Sequence, residues 1–215
     1  MGFPDVRIVI CQTGVGNVRS VVRAVERTAP KTFEVVVSGV PAELAHADFV
    51  VVPGQGAFGA FAQSVQGGFA DALQEHIARG KPYLGICLGM QVLFEDSEEA
   101  PGAKGLAVLP GHVRRMVCGV DPASGVAYPL PHIGWNAVEP TNDSARSSLG
   151  AVPDHFYFAH SYAVVPSDDS VALATTEYGM RFVSAIGKDN VLGVQFHPEK
   201  SQAAGRALLA SFFAR

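Results

Sequence analysis

Apolar and polar positions divide the chain into two regimes. As far as Ile86, short continuous apolar runs alternate with helical stretches. Val6-Arg7-Ile8-Val9-Ile10-Cys11, Phe33 to Val37, Phe49-Val50-Val51-Val52 and Pro82 to Ile86 read as strands, and the continuous apolar run of the third suits a parallel strand covered on both faces. Gly14-Val15-Gly16-Asn17 reads as a tight turn opening a helix. Val18, Val21, Val22 and Val25 give that helix an apolar stripe at the i, i+3, i+4, i+7 spacing. A second helix is predicted from about Ala60 to Ala78, and a third begins near Leu88 and continues through Val92-Leu93-Phe94-Glu95.

Beyond the polar loop Ser97 to Gly105 the runs are short and separated by turn-rich segments: His112-Val117, Ile133-Val138, His155-Val165, Val171-Thr176 and Phe182-Ile186. They read as antiparallel strands added to a parallel core. The last run, Val191 to Glu199, sets Leu192, Val194 and Phe196 on one face against Gly193, Gln195 and His197 on the other. Ser201 then caps a closing helix whose inner face is Ala204, Leu208, Leu209 and Phe212. The fold class expected is α/β, a central mostly parallel sheet flanked by helices. With no internal repeat or low-complexity stretch, residues 1–215 are expected to form a single domain.

Composition narrows the function classes. The chain has 215 residues, is 48% hydrophobic and carries a net charge of −4 without a basic cluster, so neither nucleic acid nor a membrane surface is expected as partner. The N-terminal residues lack a basic run, and Val6 to Cys11 is too short for a signal peptide or a membrane span. Three cysteines without close spacing, Cys11, Cys87 and Cys118, fit a reducing cytoplasm better than disulfides or a metal site. No metal or cofactor is expected.

Candidate chemistry concentrates at three places. In Gly85-Ile86-Cys87-Leu88-Gly89-Met90-Gln91 a cysteine sits at a strand-to-helix turn, flanked by glycines at the spacing of the nucleophile elbow G-x-S-x-G. The amide of Leu88 is then free to face a developing oxyanion, and Gln91 stands one helical turn beyond the sulfur. Pro53-Gly54-Gln55-Gly56 follows the third strand and should share a rim with Cys87, which makes it a second candidate oxyanion donor. His197-Pro198-Glu199 ends the last strand; if the backbone stays extended through Pro198, imidazole and carboxylate point the same way and supply the base and orienter a thiol nucleophile requires. His46, His76 and His112 read as surface residues.

Together these three motifs resemble the class I (triad) glutamine amidotransferases, which implies a flavodoxin-like amidotransferase fold. Phe94-Glu95-Asp96-Ser97-Glu98-Glu99, Pro131-His132-Ile133-Gly134-Trp135-Asn136, Phe158-Ala159-His160-Ser161-Tyr162 and Ala174-Thr175-Thr176-Glu177-Tyr178-Gly179 narrow the resemblance to the glutaminase subunits of imidazole glycerol phosphate synthase. It implies hydrolysis of glutamine by Cys87, His197 and Glu199 through a glutamyl thioester, with the oxyanion held by Leu88 and by Gly54-Gln55-Gly56. Gln91, Ser161 and Tyr162 match positions that hold the amino-acid end of glutamine. Asn17, Pro131, His132, Trp135 and Tyr157 match positions near the interface with a (β/α)₈-barrel cyclase subunit, the partner in a heterodimer, which uses the ammonia to make imidazole glycerol phosphate and aminoimidazole carboxamide ribotide in histidine biosynthesis. The alternative is the same chemistry feeding anthranilate, aminodeoxychorismate, guanylate or pyridoxal phosphate synthesis. Two departures stand out: Gln55 replaces a common valine, and Gln12-Thr13 precedes Gly14 where an aspartate and an aromatic residue are common.

Overall fold

A computed structural model of the chain describes residues 6–12, 18–54, 56–64, 68–150 and 155–215. The readings made for Gly14, Gly16, Asn17 and Gln55 lie outside the described residues. Four strands, β1 (Val6–Cys11), β2 (Phe33–Ser38), β3 (Phe49–Val52) and β4 (Tyr83–Ile86), fall where the apolar runs place them. They stand in the order β2-β1-β3-β4 and are parallel throughout; the strand Val191–Val194 adds to β4, also parallel. Arg181–Lys188, Ala172–Glu177 and Glu139–Pro140 then extend the same sheet antiparallel, so it has eight strands.

The pleat sorts the core into two layers. Ile8, Ile10, Val51, Leu84 and Ile86 face a layer built from α1 (Val18–Thr28) and the C-terminal helix, through Val21, Val25, Leu208 and Phe212. Val9, Cys11, Val50, Val52 and Tyr83 face the other, which holds Leu44 of α2 (Pro41–Ala45), Phe58 and Phe61 of α3 (Phe58–Ser64), and Phe69 and Leu73 of α4 (Phe69–Ala78). β3, β4 and β1 from Ile8 onward are covered on both faces, and this is why they are apolar throughout, whereas the edge strand β2 carries Glu34 and is only partly buried. Among the described residues no helix is long and apolar enough to cross a membrane.

Several expectations are corrected. The single helix from Ala60 to Ala78 is two, because Gly68 takes φ 91° and caps α4. The helix after Cys87 is a single turn, α5 (Leu88–Gln91), and Val92, Leu93 and Phe94 run on as buried turn. Not every later strand joins the main sheet. His155–His160 pairs with His132–Ala137 as a two-stranded ribbon; Tyr162–Pro166 leaves it at Ser161 to pair with Gly111–Arg115 in a separate three-stranded sheet. Two further helices are α6 (Asp143–Ser148), short and capped by Asn142, and the longer α7 (Gln202–Phe213).

Candidate active site

The parallel strands β3 and β4 are neighbours, with Val52 opposite Gly85, and both chains leave the sheet at the same edge. That places Gly54 and Cys87 on one rim. The approach is closer than side chains allow: a Cβ on Gly54 would stand 2.3 Å from Leu88 Cβ, one on Gly85 2.3 Å from Gly89 O, and one on Gly89 1.9 Å from Val52 O. All three positions therefore require glycine. Cys87 takes φ 52° and ψ −107°, a conformation costing about 1–3 kcal/mol for a residue with a side chain. It is held there from both sides. Its N–H donates to Val194 O at 2.7 Å, its carbonyl accepts from Met90 N at 2.9 Å, and the Tyr83 hydroxyl fixes the far side of the elbow through Gly89 O at 2.8 Å.

The His197-Pro198-Glu199 segment does not stay extended. The last strand ends at Val194, and Pro198–Lys200 forms one 3₁₀ turn. The turn still brings the two side chains together: Nδ1 of His197 lies 2.9 Å from Oε1 of Glu199, both side chains almost fully buried. Ser201 stands at the start of α7 without capping it. Its Oγ donates instead to His197 O at 2.6 Å and accepts from Tyr157 N at 3.0 Å, while His197 N donates to Tyr157 O at 2.8 Å. The ribbon strand carrying Tyr157 thus fixes the backbone beneath the imidazole.

Burial alone would lower the His197 pKa; the Cys87 sulfur and the Glu199 carboxylate overcome it and lift the ring to about 9. Nε2 of His197 and Oε2 of Glu199 have no aligned hydrogen-bond partner, which leaves Nε2 open toward the sulfur and whatever docks on it. His160 and His132 behave oppositely. Burial dominates both and lowers them to about 3 and about 4, so both are neutral at physiological pH.

Cys87 opens into a cavity of about 380 Å³ whose lining includes Gly56, Leu88, Gln91, Ser161 and Tyr162, all expected at the site. Pro131, expected at a partner interface, lines the same cavity. His132 is not at a surface: it is 2% exposed and stacks between Phe158 and Tyr178, at 4.8 and 3.8 Å between ring centroids. Trp135 is exposed and meets Tyr157 edge-on at 6.3 Å. His76, read as a surface residue, is buried, with Nε2 against Pro82 O at 3.0 Å.

The family model for glutamine amidotransferase class-I matches residues 11–215. The chain belongs to the class-I glutamine amidotransferase family. Proteins named imidazole glycerol phosphate synthase subunit HisH are similar to it over nearly their whole length. That of Salinibacter ruber is 44% identical, with 95% of this chain and 93% of the relative covered; that of Aquifex aeolicus is 44% identical at 96% and 95%, and that of Syntrophotalea carbinolica 41% at 95% and 98%. Among solved structures, PurLQS from Thermotoga maritima superposes with a TM-score of 0.74 at 19% identity, covering 97% of this chain and 98% of that one, a likeness of fold.

Three polar residues lining this cavity, and one buried behind it, were not singled out from sequence as site residues. Glu99, Lys200 and His160 line it beside Cys87. Glu99 also accepts from Phe58 N at 2.7 Å, which ties its loop to α3. Gln195, wholly buried, reaches Cys87 Sγ with its side-chain amide at 3.4 Å. The alternation of the last strand held the signal for Gln195, since it shares a face with His197 two residues on.

Proposed function

We propose that this chain acts, as one amidotransferase domain, as the glutaminase subunit of imidazole glycerol phosphate synthase, releasing ammonia from glutamine for a cyclase subunit in histidine biosynthesis. One observation carries the chemistry: a cysteine on a strained elbow faces an imidazole whose far nitrogen is held by a buried carboxylate. The pathway rests on relatives 41–44% identical over nearly the full chain that bear the name of that subunit.

In this reading Cys87 Sγ attacks the side-chain amide carbon of glutamine, and the electron pair of the C=O moves to oxygen. The amide of Leu88, at a helix start where N–H groups have no partner four residues back, and an amide of Gly54-Gln55-Gly56 meet that charge. His197 passes the proton to the departing nitrogen and ammonia leaves. It then takes a proton from water as the water adds to the thioester, and the collapsing adduct expels the sulfur, freeing glutamate. Glu199 holds the Nδ1 proton throughout. At the amino-acid end, Glu99 and the free oxygen of Gln91 suit the ammonium, Lys200 suits the carboxylate, and Ser161 and Tyr162 close the wall. Pro131, His132, Trp135 and Tyr157 belong to the face toward the cyclase subunit, with Trp135 and Tyr157 in contact and His132 supporting from beneath; Asn17 is assigned to the same interface by the resemblance of its sequence alone.

The test is ammonia release from glutamine by the chain with and without a cyclase subunit and its nucleotide ligand, with Cys87→Ala as control. Release that needs the liganded partner and vanishes in the variant supports both chemistry and pathway. Partner-independent release that still needs Cys87 keeps the triad and discards the pathway.

A further inference from the structure

Behind the cavity wall runs a chain of side-chain amides whose polarity can be read from one end. The Tyr162 carbonyl can only accept. It lies 2.9 Å from Nδ1 of His160 and 3.1 Å from Nε2 of Gln91, so two donors fill its two lone pairs. Gln91 is thereby oriented with its NH₂ group toward the carbonyl. The same nitrogen gives its second proton to Oε1 of Gln195 at 3.1 Å. Gln195 is oriented in turn: its oxygen faces Gln91, and its Nε2 faces Cys87 Sγ at 3.4 Å. Gln195 is 0% exposed, and its backbone N–H is held by Ser184 O at 2.9 Å, so the side chain has a fixed root.

We propose that Gln195 is a fourth catalytic side chain, donating an N–H to the nucleophilic sulfur to hold it in one rotamer and to stabilise it as thiolate before attack. This rests on the glutaminase reading of Cys87. A neutral thiol is a weak acceptor and a charged sulfur a much better one, so a donor fixed against Sγ favours the ionised form. Gln195 differs from His197 in never giving up its proton. It can therefore keep the sulfur in place while the imidazole moves protons to the leaving group and from water. The same network leaves Gln91 with only its oxygen free, so an ammonium donor, and not a carboxylate, is the group it can receive.

Two variants separate this role from packing. Gln195→Glu keeps size and the oxygen that accepts from Gln91 while removing the NH₂ group; Gln195→Met keeps approximate volume and removes both polar atoms. The first readout is iodoacetamide alkylation of the full chain across pH, followed on the Cys87 peptide by mass spectrometry so that Cys11 and Cys118 do not contribute. Alkylation at neutral pH should slow by about tenfold in both variants, with the rate profile moved to higher pH. In the complex with the cyclase subunit, kcat for ammonia release should fall similarly while KM stays within about twofold. Wild-type alkylation profiles in the variants overturn the proposal, as does a raised KM with unchanged kcat, which makes Gln195 a support for Gln91 alone. If Gln195→Met does not fold, Gln195→Glu decides. Altered alkylation in a chain whose wild type releases no ammonia upholds the sulfur contact and sinks the glutaminase reading.

Discussion

Gly89→Ala isolates what the elbow glycines do. In a helix, alanine replaces glycine with a gain of about 1 kcal/mol, so propensity alone favours the variant. The structure reverses the sign. The new Cβ would stand 1.9 Å from Val52 O and 2.9 Å from Val52 C, where ordinary contact needs well over 3 Å. Val52 is backbone of β3, fixed by its pairing with β4 opposite Gly85, and no side-chain rotation relieves the clash. Either β3 or α5 must move by about 1 Å or more, an overpacking cost of about 2–4 kcal/mol net of the propensity gain. At about 2–4 °C per kcal/mol for a chain of this size, the thermal midpoint should drop by roughly 5–15 °C. Movement of about 1 Å at the nucleophile should also lower ammonia release by about 100-fold, more than the fraction unfolded explains. Circular-dichroism melts and the glutaminase assay on the same preparation measure both. Gly59→Ala is the control: it lies in α3 and would meet only Ala100 Cβ at 3.1 Å, so a change within about 1 kcal/mol is expected. A Gly89→Ala chain with wild-type melting and activity would refute the close-approach account of the elbow.

Other expectations follow from the same geometry. Cys87→Gly and Cys87→Ala should both abolish glutaminase activity, but Gly should match or exceed Ala in denaturant stability because φ 52° suits it, contrary to the usual penalty of about 0.5–1 kcal/mol for glycine. The His197 imidazole, lifted to about 9 in the folded chain from about 6.5 unfolded, contributes stability fully present below pH 6.5 and lost as pH rises through 9. The unfolding free energy should fall by at most ~3 kcal/mol across that window, and the fall should vanish in His197→Gln and shrink in Cys87→Ala; equal slopes in all three would show that the ring is not held charged. Ser201→Ala removes one acceptor and one donor beneath the imidazole, and should cost about 1–3 kcal/mol in urea unfolding with a loss of kcat beyond that. Wild-type kcat in that variant would show that Tyr157 alone fixes the His197 backbone.

The strands of the parallel core are legible in residue order, because a strand covered on both faces must be apolar throughout, as Val50 to Val52 are. Residue order also singled out Cys87, His197 and Glu199 as the proposed triad, since an elbow cysteine and a His-x-Glu after a strand carry local signatures. It misjudged what depends on distant partners. Nothing local says that the strand His155–Val165 breaks at Ser161 between two sheets, that Pro198 turns the chain and leaves His197 and Glu199 still paired, or that α5 stops after one turn. Those outcomes follow from what each segment packs against. Ser201 shows the difference most plainly: its residue type and position predict a helix cap, yet its hydroxyl is taken by Tyr157 and His197, groups 44 and 4 residues away. Tertiary structure alone also aligned Tyr162, Gln91 and Gln195 behind the sulfur, because hydrogen-bond polarity passes along a buried chain only once its members, successive ones 71, 104 and 108 residues apart, are folded into contact.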